Sequence, residues 1–307
     1  MSEIILHHYP ESPISEKARL MLGLKKLPWR SVVMPMIMPK PDLVPLTGGY
    51  RKAPVMQIGA DIYCDSQRIA RELERRYPEP TLFPNSSEGL GYGLLFWSDR
   101  PLFLAAVGVA FAAIGDRLPE AFLEDRANFS GRPVDIERWK KAAPMNLDQL
   151  RAHVGFLDRQ LADDRAFVHG DEPGLADFGP YLSLWFVARG ARKAMTSLNE
   201  SFPHIAPWMK RVREISHGEE EPMEPGEALD VAKVGQSETQ EDADANDPRG
   251  LKPGDKVTVT PDDTGRDPVA GELLASNPHE IAIRRVDVRV GEVVVHFPRA
   301  GFVVLSA

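Results

Sequence analysis

A single cysteine, Cys64, stands in 307 residues, so neither an intramolecular disulfide nor a cysteine-rich metal site can form, and a two-cysteine redox cycle is excluded. Also missing is any uninterrupted run of about 18 apolar residues that would span a bilayer. Nothing at the amino terminus has the pattern of a signal peptide, because Met1 to Glu3 leads into a short strand-like run and then into polar residues. The expectation is a cytoplasmic protein without a membrane partner. A basic excess is absent as well. The net charge is −8, and residues 216–250 alone hold eleven Asp and Glu against Lys233 and Arg249, a balance of −9 that leaves +1 for the rest. The acidity therefore belongs to a connector, and there is no electrostatic case for nucleic acid.

What is present is enough chain for two or three cores, since single domains usually run about 100–200 residues. Residues 1–84 read as strand, helix, strand, loop, hairpin and helix. Ile4 to Tyr9 is a short apolar run suited to a buried strand, and Pro13 to Leu24 carries Ile14, Ala18, Met21 and Leu22 at helical spacing. Trp29 to Val33 supplies a second strand, parallel to the first across that helix. Val55–Ile58 and Asp61–Tyr63 flank a Gly59-Ala60 hairpin, and a helix follows from Asp65 to Tyr77. The order βαβ then ββα is that of a thioredoxin-like sheet.

Residues 88–215 show only helical periodicities, broken by Pro101, Pro119, Pro133, Pro144, Pro173 and Pro203, which predicts an all-α bundle of five or six helices. One clear helix begins at Asn146 or Leu147. Residues 216–250 read as a mobile acidic linker in which Glu227 to Val234 has room for a short helix. Residues 251–307 hold Lys256–Thr260, Ala270–Leu274, Glu280–Arg284 and Glu292–Phe297, short Val- and Ile-rich runs that predict a small all-β domain of the SH3-like barrel kind. Its most distinctive string, Val295-His296-Phe297-Pro298-Arg299, is explained by a strand ending at a proline.

Three segments carry candidate chemistry. Ser12-Pro13-Ile14-Ser15 opens the first helix, where free amides and the helix dipole favour negative charge. A serine hydroxyl there can donate to a thiolate, a charged hydrogen bond worth roughly 1.5–3 kcal/mol that lowers a thiol pKa from about 8.5 toward neutrality. Serine before proline is equally an ordinary helix cap, and both readings use the same exposed helix start. Ala53-Pro54-Val55 enters a strand through a proline, where a cis bond would free neighbouring backbone groups for a ligand's peptide bonds, and a functionless edge proline is the alternative. Asp65-Ser66 begins the last helix of the first domain. Both residues are natural caps, and the same amides make a site for an α-carboxylate, with Asp65 able to hold an ammonium.

The order and spacing of these segments resemble the glutathione transferase superfamily over about residues 3 to 215. The resemblance is carried by residues 6–13, by the run Lys52 to Ser66, and by Leu175-Ala176-Asp177-Phe178. It implies a cis Pro54, backbone pairing of Val55 with the glutathione cysteine, and a γ-glutamyl site at Asp65 and Ser66. The sequence looks like the serine-type classes, so the resemblance makes Ser12 the catalytic hydroxyl, with Ser15 and Tyr9 in reserve. Tyr9 lies one residue past the family's tyrosine position, and a one-residue shift turns a strand side chain to the other face. Gly174 stands where the family has a Ser or Thr cap, and Gly48 to Lys52 is more basic than the common pattern. The resemblance also implies a homodimer.

His7 and His8 lack a partner at metal-ligand spacing, Met34, Met36 and Met38 belong to an irregular loop bordering the site, and Cys64 is expected to be buried. Trp97, Phe103, Phe111 and Trp185 read as bundle core before substrate wall. The leading expectation is a transferase that ionises the glutathione thiol and conjugates it to a hydrophobic electrophile, with glutathione as substrate and no metal. The alternatives are a glutathione-dependent reductase, dehalogenase or isomerase, and a non-catalytic scaffold that keeps the fold.

Overall fold

The computed structural model describes residues 3–307; Met1 and Ser2, at the start of the expected 1–84 span, lie outside the described residues. The first unit runs β1 (Ile5–His8), α1 (Pro13–Leu24), β2 (Pro28–Val33), α2 (Val44–Thr47), β3 (Val55–Ile58), β4 (Asp61–Cys64) and α3 (Ser66–Arg76). β1 lies parallel to β2 and antiparallel to β3, and β3 lies antiparallel to β4, giving the expected thioredoxin-like sheet. Only the single turn α2 falls where no element was expected. Period-2 alternation divides the sheet's side chains between two cores. Leu6, Met56, Ile58 and Tyr63 pack with α1, α3 and the helical bundle, whereas Val55, Ile62 and Cys64 face the other way.

The bundle holds α4 (Glu88–Trp97), α5 (Phe103–Ile114), α6 (Glu120–Ser130), α7 (Ile136–Gln160), α8 (Leu175–Gly190), α9 (Arg192–Ser201) and α10 (Ile205–Glu214), seven helices where five or six were expected. The prolines explain part of the difference. Pro101 sits in a π-helical turn, Ser98–Leu102, that joins α4 to α5, and Pro144 lies inside α7, which starts at Ile136 under an Asp135 cap. The joined run Glu88–Arg117 is long and apolar enough to cross a membrane by length and mean hydropathy alone, although Asp99, Arg100 and Pro101 interrupt its apolar residues. It serves as a bundle helix: α5 packs on α7 and α8, and Asp99 in its middle pairs with Lys17 of α1 at 2.5 Å.

The acidic stretch differs most from expectation. Its β5 (Glu219–Pro222) adds to β2 as a parallel edge strand, and its α11 (Pro225–Val234), the short helix for which Glu227 to Val234 left room, buries Ala228, Leu229 and Ala232. The Gln57 amide of β3 donates to the Ala228 carbonyl at 2.8 Å. Eleven carboxylates dominate the composition, but nine of them are exposed and Asp244 and Asp247 half-buried, while the few apolar residues of α11 share one face against the sheet.

The remaining strands are β6 (Asp242–Ala243), β7 (Lys256–Pro261), β8 (Val269–Ser276), β9 (Glu280–Asp287), β10 (Gly291–Pro298) and β11 (Phe302–Ser306). They form the expected added β domain, and they are hydrogen-bonded into the first sheet through β10, which pairs parallel with β4: Val294 opposite Asp61, Val295 opposite Ile62, His296 opposite Tyr63. The strand order β11-β7-β8-β9-β10-β4-β3-β1-β2-β5 is continuous. Val257, Ile281, Ile283, Val293, Val295 and Phe297 complete the core begun by Val55, Ile62 and Cys64. The string around His296, read from sequence as no more than a strand end, is the seam between the two units.

Candidate active site

Strand register decides where the candidate residues meet. β1 and β3 pair with His7 opposite Val55, and β3 and β4 pair with Val55 opposite Cys64. The exit of β1, the entry of β3 and the exit of β4 therefore share one end of the sheet. Tyr9 and Ser12 follow β1, Pro54 precedes β3, and Asp65 and Ser66 follow β4, so all three segments arrive there together. His8 opposite Val33 brings the loop after β2 to the same end.

Ser12 caps α1: its Oγ accepts from the Ser15 amide at 3.1 Å, and among the described residues its hydroxyl proton has no protein acceptor. Ser15 is fully buried and its hydroxyl has no partner. The Ala53–Pro54 bond is cis. Asp65 adopts φ 74°, ψ 139°, a region that costs a non-glycine residue about 1–3 kcal/mol. Its Oδ1 accepts from the Gln67 amide at 2.8 Å, capping α3, whose first residue is the buried Ser66. Tyr9 is half-buried with its ring under the Lys40 ammonium, 5.7 Å away.

The two histidines of β1 are structural. His7 bonds Gln57 at 2.9 Å and His8 bonds Ser31 at 2.8 Å, and burial pushes their pKa values down to about 4 and about 3, so both stay neutral. Cys64 is buried in the core and burial raises its thiol pKa well above the ordinary value. Among the described residues no group of three His, Cys, Asp or Glu is arranged to hold a metal ion.

Comparison with known proteins bears on the same end of the sheet. Residues 6–81 match the family described as glutathione S-transferase, N-terminal domain, and residues 116–220 match a domain of unknown function. A GST-like protein from Pseudomonas syringae, solved as a crystal structure, is 39% identical over 100% of both chains with a TM-score of 0.80. The chain belongs to the glutathione S-transferase superfamily. A glutathione S-transferase from Rhodospirillum rubrum (21% identity, 68% of this chain and 87% of that one, TM-score 0.52) shares the fold. So does one from Ceriporiopsis subvermispora in complex with glutathione (19% identity, 69% and 96%, TM-score 0.56). None of the curated proteins compared is significantly similar.

Several polar residues of this superfamily member's site were not singled out from sequence. Lys40 is buried on the loop after β2 and donates to the Arg51 carbonyl at 2.9 Å; burial, with Arg51 and Arg126 nearby, pushes its pKa down to about 8. Asp99, presented by the π-helical turn, meets Lys17 of α1, and burial raises its pKa. A cavity of about 60 Å3 at this end is lined by Lys52, Asp65, Gln67 and Asp99 from the first two units and by Asp263 and Gly301 of the β domain. The π-helical turn was the one local signal in reach, through the Asp-Arg-Pro interruption of an apolar run. The four bundle aromatics behave as packing: Phe111 stacks on Trp139 at 5.3 Å, Phe103 meets Phe186 at 6.4 Å, Trp97 donates to His153 at 3.2 Å, and Trp185 lies under Arg189.

Gly174, the departure from the family pattern, has a steric cause. A Cβ there would lie 2.7 Å from both the Leu82 carbonyl oxygen and Pro84. Asp177 supplies the cap instead, accepting from the Gly174 amide at 3.0 Å and the Val168 amide at 2.9 Å, and also from the Trp208 indole at 2.8 Å.

Proposed function

We propose that the chain is a glutathione transferase that binds glutathione between the Pro54 loop and the Asp65-Ser66 helix start and ionises its thiol beside Ser12. The observation that carries this reading is the convergence, by strand register, of a helix start whose serine proton is free, a cis-proline strand entry, and a strained acidic cap. Val55 would pair with the peptide backbone, and Asp65 and Ser66 would hold the γ-glutamyl zwitterion. The thiol proton leaves to water, the Ser12 hydroxyl donates to the thiolate, and sulfur forms a bond to the electrophilic carbon. In a substitution the leaving group departs with its electron pair; in an addition the neighbouring carbanion takes up a proton. The gain comes from thiolate stabilisation and proximity. Residence in the cytoplasm and a homodimer belong to the same reading, the latter tested by sedimentation.

Calorimetry with glutathione tests it. The wild type is expected to bind, and Ser66→Ala to bind about 10-fold more weakly for loss of one hydrogen bond to a charged group. Ser12→Ala is expected to keep binding but to lower turnover of an aromatic electrophile roughly 10- to 100-fold, the value of one hydrogen bond to a thiolate. No glutathione binding by the wild type sinks the enzyme reading. One observation favours the second reading, a non-catalytic scaffold: the cavity of about 60 Å3 falls below the roughly 300–1,000 Å3 of sites that enclose small ligands.

A further inference from the structure

The small volume has a specific cause, and it lies in the β domain. Because β10 runs parallel to β4, the residues after β10 emerge at the same end of the sheet as Asp65 and Ser66. Arg299 to Gly301 thus reach the site, where the Gln67 side chain donates to the Ala300 carbonyl at 3.4 Å and the Gly301 Cα lies so near that an added Cβ would sit 3.2 Å from Arg100. A second loop, after β7, is tied to the first by the Asp262 amide donating to the Gly301 carbonyl at 3.0 Å.

That second loop places two adjacent carboxylates on the two cations of the cavity wall. Asp263 meets the Lys52 ammonium at 2.5 Å, and Asp262 meets the Arg100 guanidinium at 2.5 Å. Arg266 braces the loop from within, donating to the Asp262 and Asp263 carbonyls at 2.7 and 2.9 Å. Gly265 extends it across α6, its amide donating to the Phe129 carbonyl at 3.0 Å; an added Cβ there would sit 2.0 Å from the Phe129 ring. That ring in turn lies under Arg51, 5.2 Å away, in the loop that precedes Pro54. The contacts span the first sheet, the π-helical turn and α6.

Lys52 is the cation next to the Pro54 loop and Asp65 the carboxylate next to Ser66, so the cavity between them offers both signs of charge to a peptide. At about 60 Å3 it holds roughly four or five waters. From this geometry we propose that residues 262–266 are a built-in occupant of the peptide site: Asp263 engages Lys52 in place of a carboxylate of the incoming thiol peptide, and binding requires that the loop leave. The proposal rests on the glutathione reading above and adds the regulation of that site. A closed loop lowers apparent affinity by the fraction of molecules in which the site is open. Each bridge is between a third and a half exposed on its acidic side, so each is individually weak and releasable by a competing carboxylate.

The test is calorimetry with glutathione on the full-length wild type and on the Asp262→Asn, Asp263→Asn double variant, paired with hydrogen exchange at residues 262–266 and 299–301. Both aspartates are partly exposed, so the variant is expected to keep its fold, which a thermal melt checks. The variant should bind glutathione about 5- to 10-fold more tightly than the wild type. Saturating glutathione should speed exchange of the loop amides in the wild type. Tighter binding by the variant together with faster exchange supports the occupant. Equal, measurable affinity in both chains, or loop amides that become more protected with glutathione, overturns it and leaves the transferase reading standing. Absence of binding by both chains overturns both.

Discussion

Replacing His296 with alanine is expected to destabilise the protein by about 3–5 kcal/mol, the usual penalty for removing one member of a buried charge cluster. The ring lies on the seam between β10 and β4, stacked on Tyr63 at 4.5 Å. Its Nε2 meets Asp61 Oδ1 at 3.0 Å, and its Nδ1 lies 3.5 Å from Glu280, which also pairs with Arg68 at 2.6 Å. Asp61 further accepts from Ser237, from the Glu238 amide and from Thr239, in the segment between α11 and β6, so one carboxylate ties three segments together. Burial disfavours the imidazolium, but Asp61 and Glu280 outweigh it and hold the His296 pKa above its ordinary value. The same contacts outweigh burial at the two carboxylates and lower their pKa values, that of Glu280 to about 2.

The pH dependence has a definite sign. A histidine whose folded pKa is raised contributes fully below its unfolded value of about 6.5, and the contribution is lost as pH rises through the folded pKa. Carboxylates with lowered pKa contribute above about 4 and lose that contribution as pH falls through their folded values. The seam is therefore strongest between about pH 4 and 6.5 and weakens on the alkaline side. Arg68, paired with Glu72 and Glu280, also faces the cluster, and against burial the contacts with Arg75, Arg68 and Arg76 hold the Glu72 pKa down to about 2, below that window. Denaturant titrations at pH 6 and pH 9 on wild type and His296→Ala check this. A wild-type stability that does not fall toward pH 9, or a variant loss under about 1 kcal/mol, would refute the role of the imidazolium.

Asp177→Ala is expected to cost about 3 kcal/mol or more. The carboxylate is fully buried and takes three N–H donors, so its removal leaves three unpaired donors, each costing about 1–3 kcal/mol. Burial pushes its pKa up to about 6, while the bonds from Trp208, Val168 and Gly174 oppose that rise and hold it below neutral pH, so the three donors face an anion. Asp177→Asn keeps the shape but turns one acceptor into a donor against the Gly174 amide, so it should fall between wild type and alanine. Differential scanning calorimetry of the three chains gives the order. An alanine variant as stable as the asparagine variant would mean that the donors find other partners.

The first sheet was legible because each of its signals is local: an apolar run, a cap before proline, a Gly-Ala hairpin between two short strands. Pro54, Asp65 and Ser66 lie within 13 residues of one another, so their spacing survived as a pattern. Asp99 and Asp263 line one cavity only through helix packing and strand register, and no short window contains both. The partner of β10 was hidden for a related reason: a Val-rich run reads the same whether it pairs with its neighbour in sequence or with a strand from the other end of the chain. In the acidic connector, composition spoke for the solvent face of α11 and β5 and concealed the few residues that bury. At Gly174 the missing cap looked like a weakness, yet the cause is the approach of Leu82 and Pro84, which no helix pattern records.

The pairing of β10 with β4 has a consequence for synthesis. Asp61 and His296 are 235 residues apart, so at ribosomal rates of about 5–20 residues per second the strand that completes β4 arrives roughly 10–50 s after it. Throughout that interval β4 presents a bare row of backbone donors and acceptors, the kind of edge that recruits other chains. A nascent protein halted after α10 would hold the end of the sheet that carries Ser12, Pro54 and Asp65 together with an open margin at β4 on one side and without β5 on the other. The last strands made thus close the edge that the first ones leave open, and chains truncated before β10 should aggregate more readily than full-length ones.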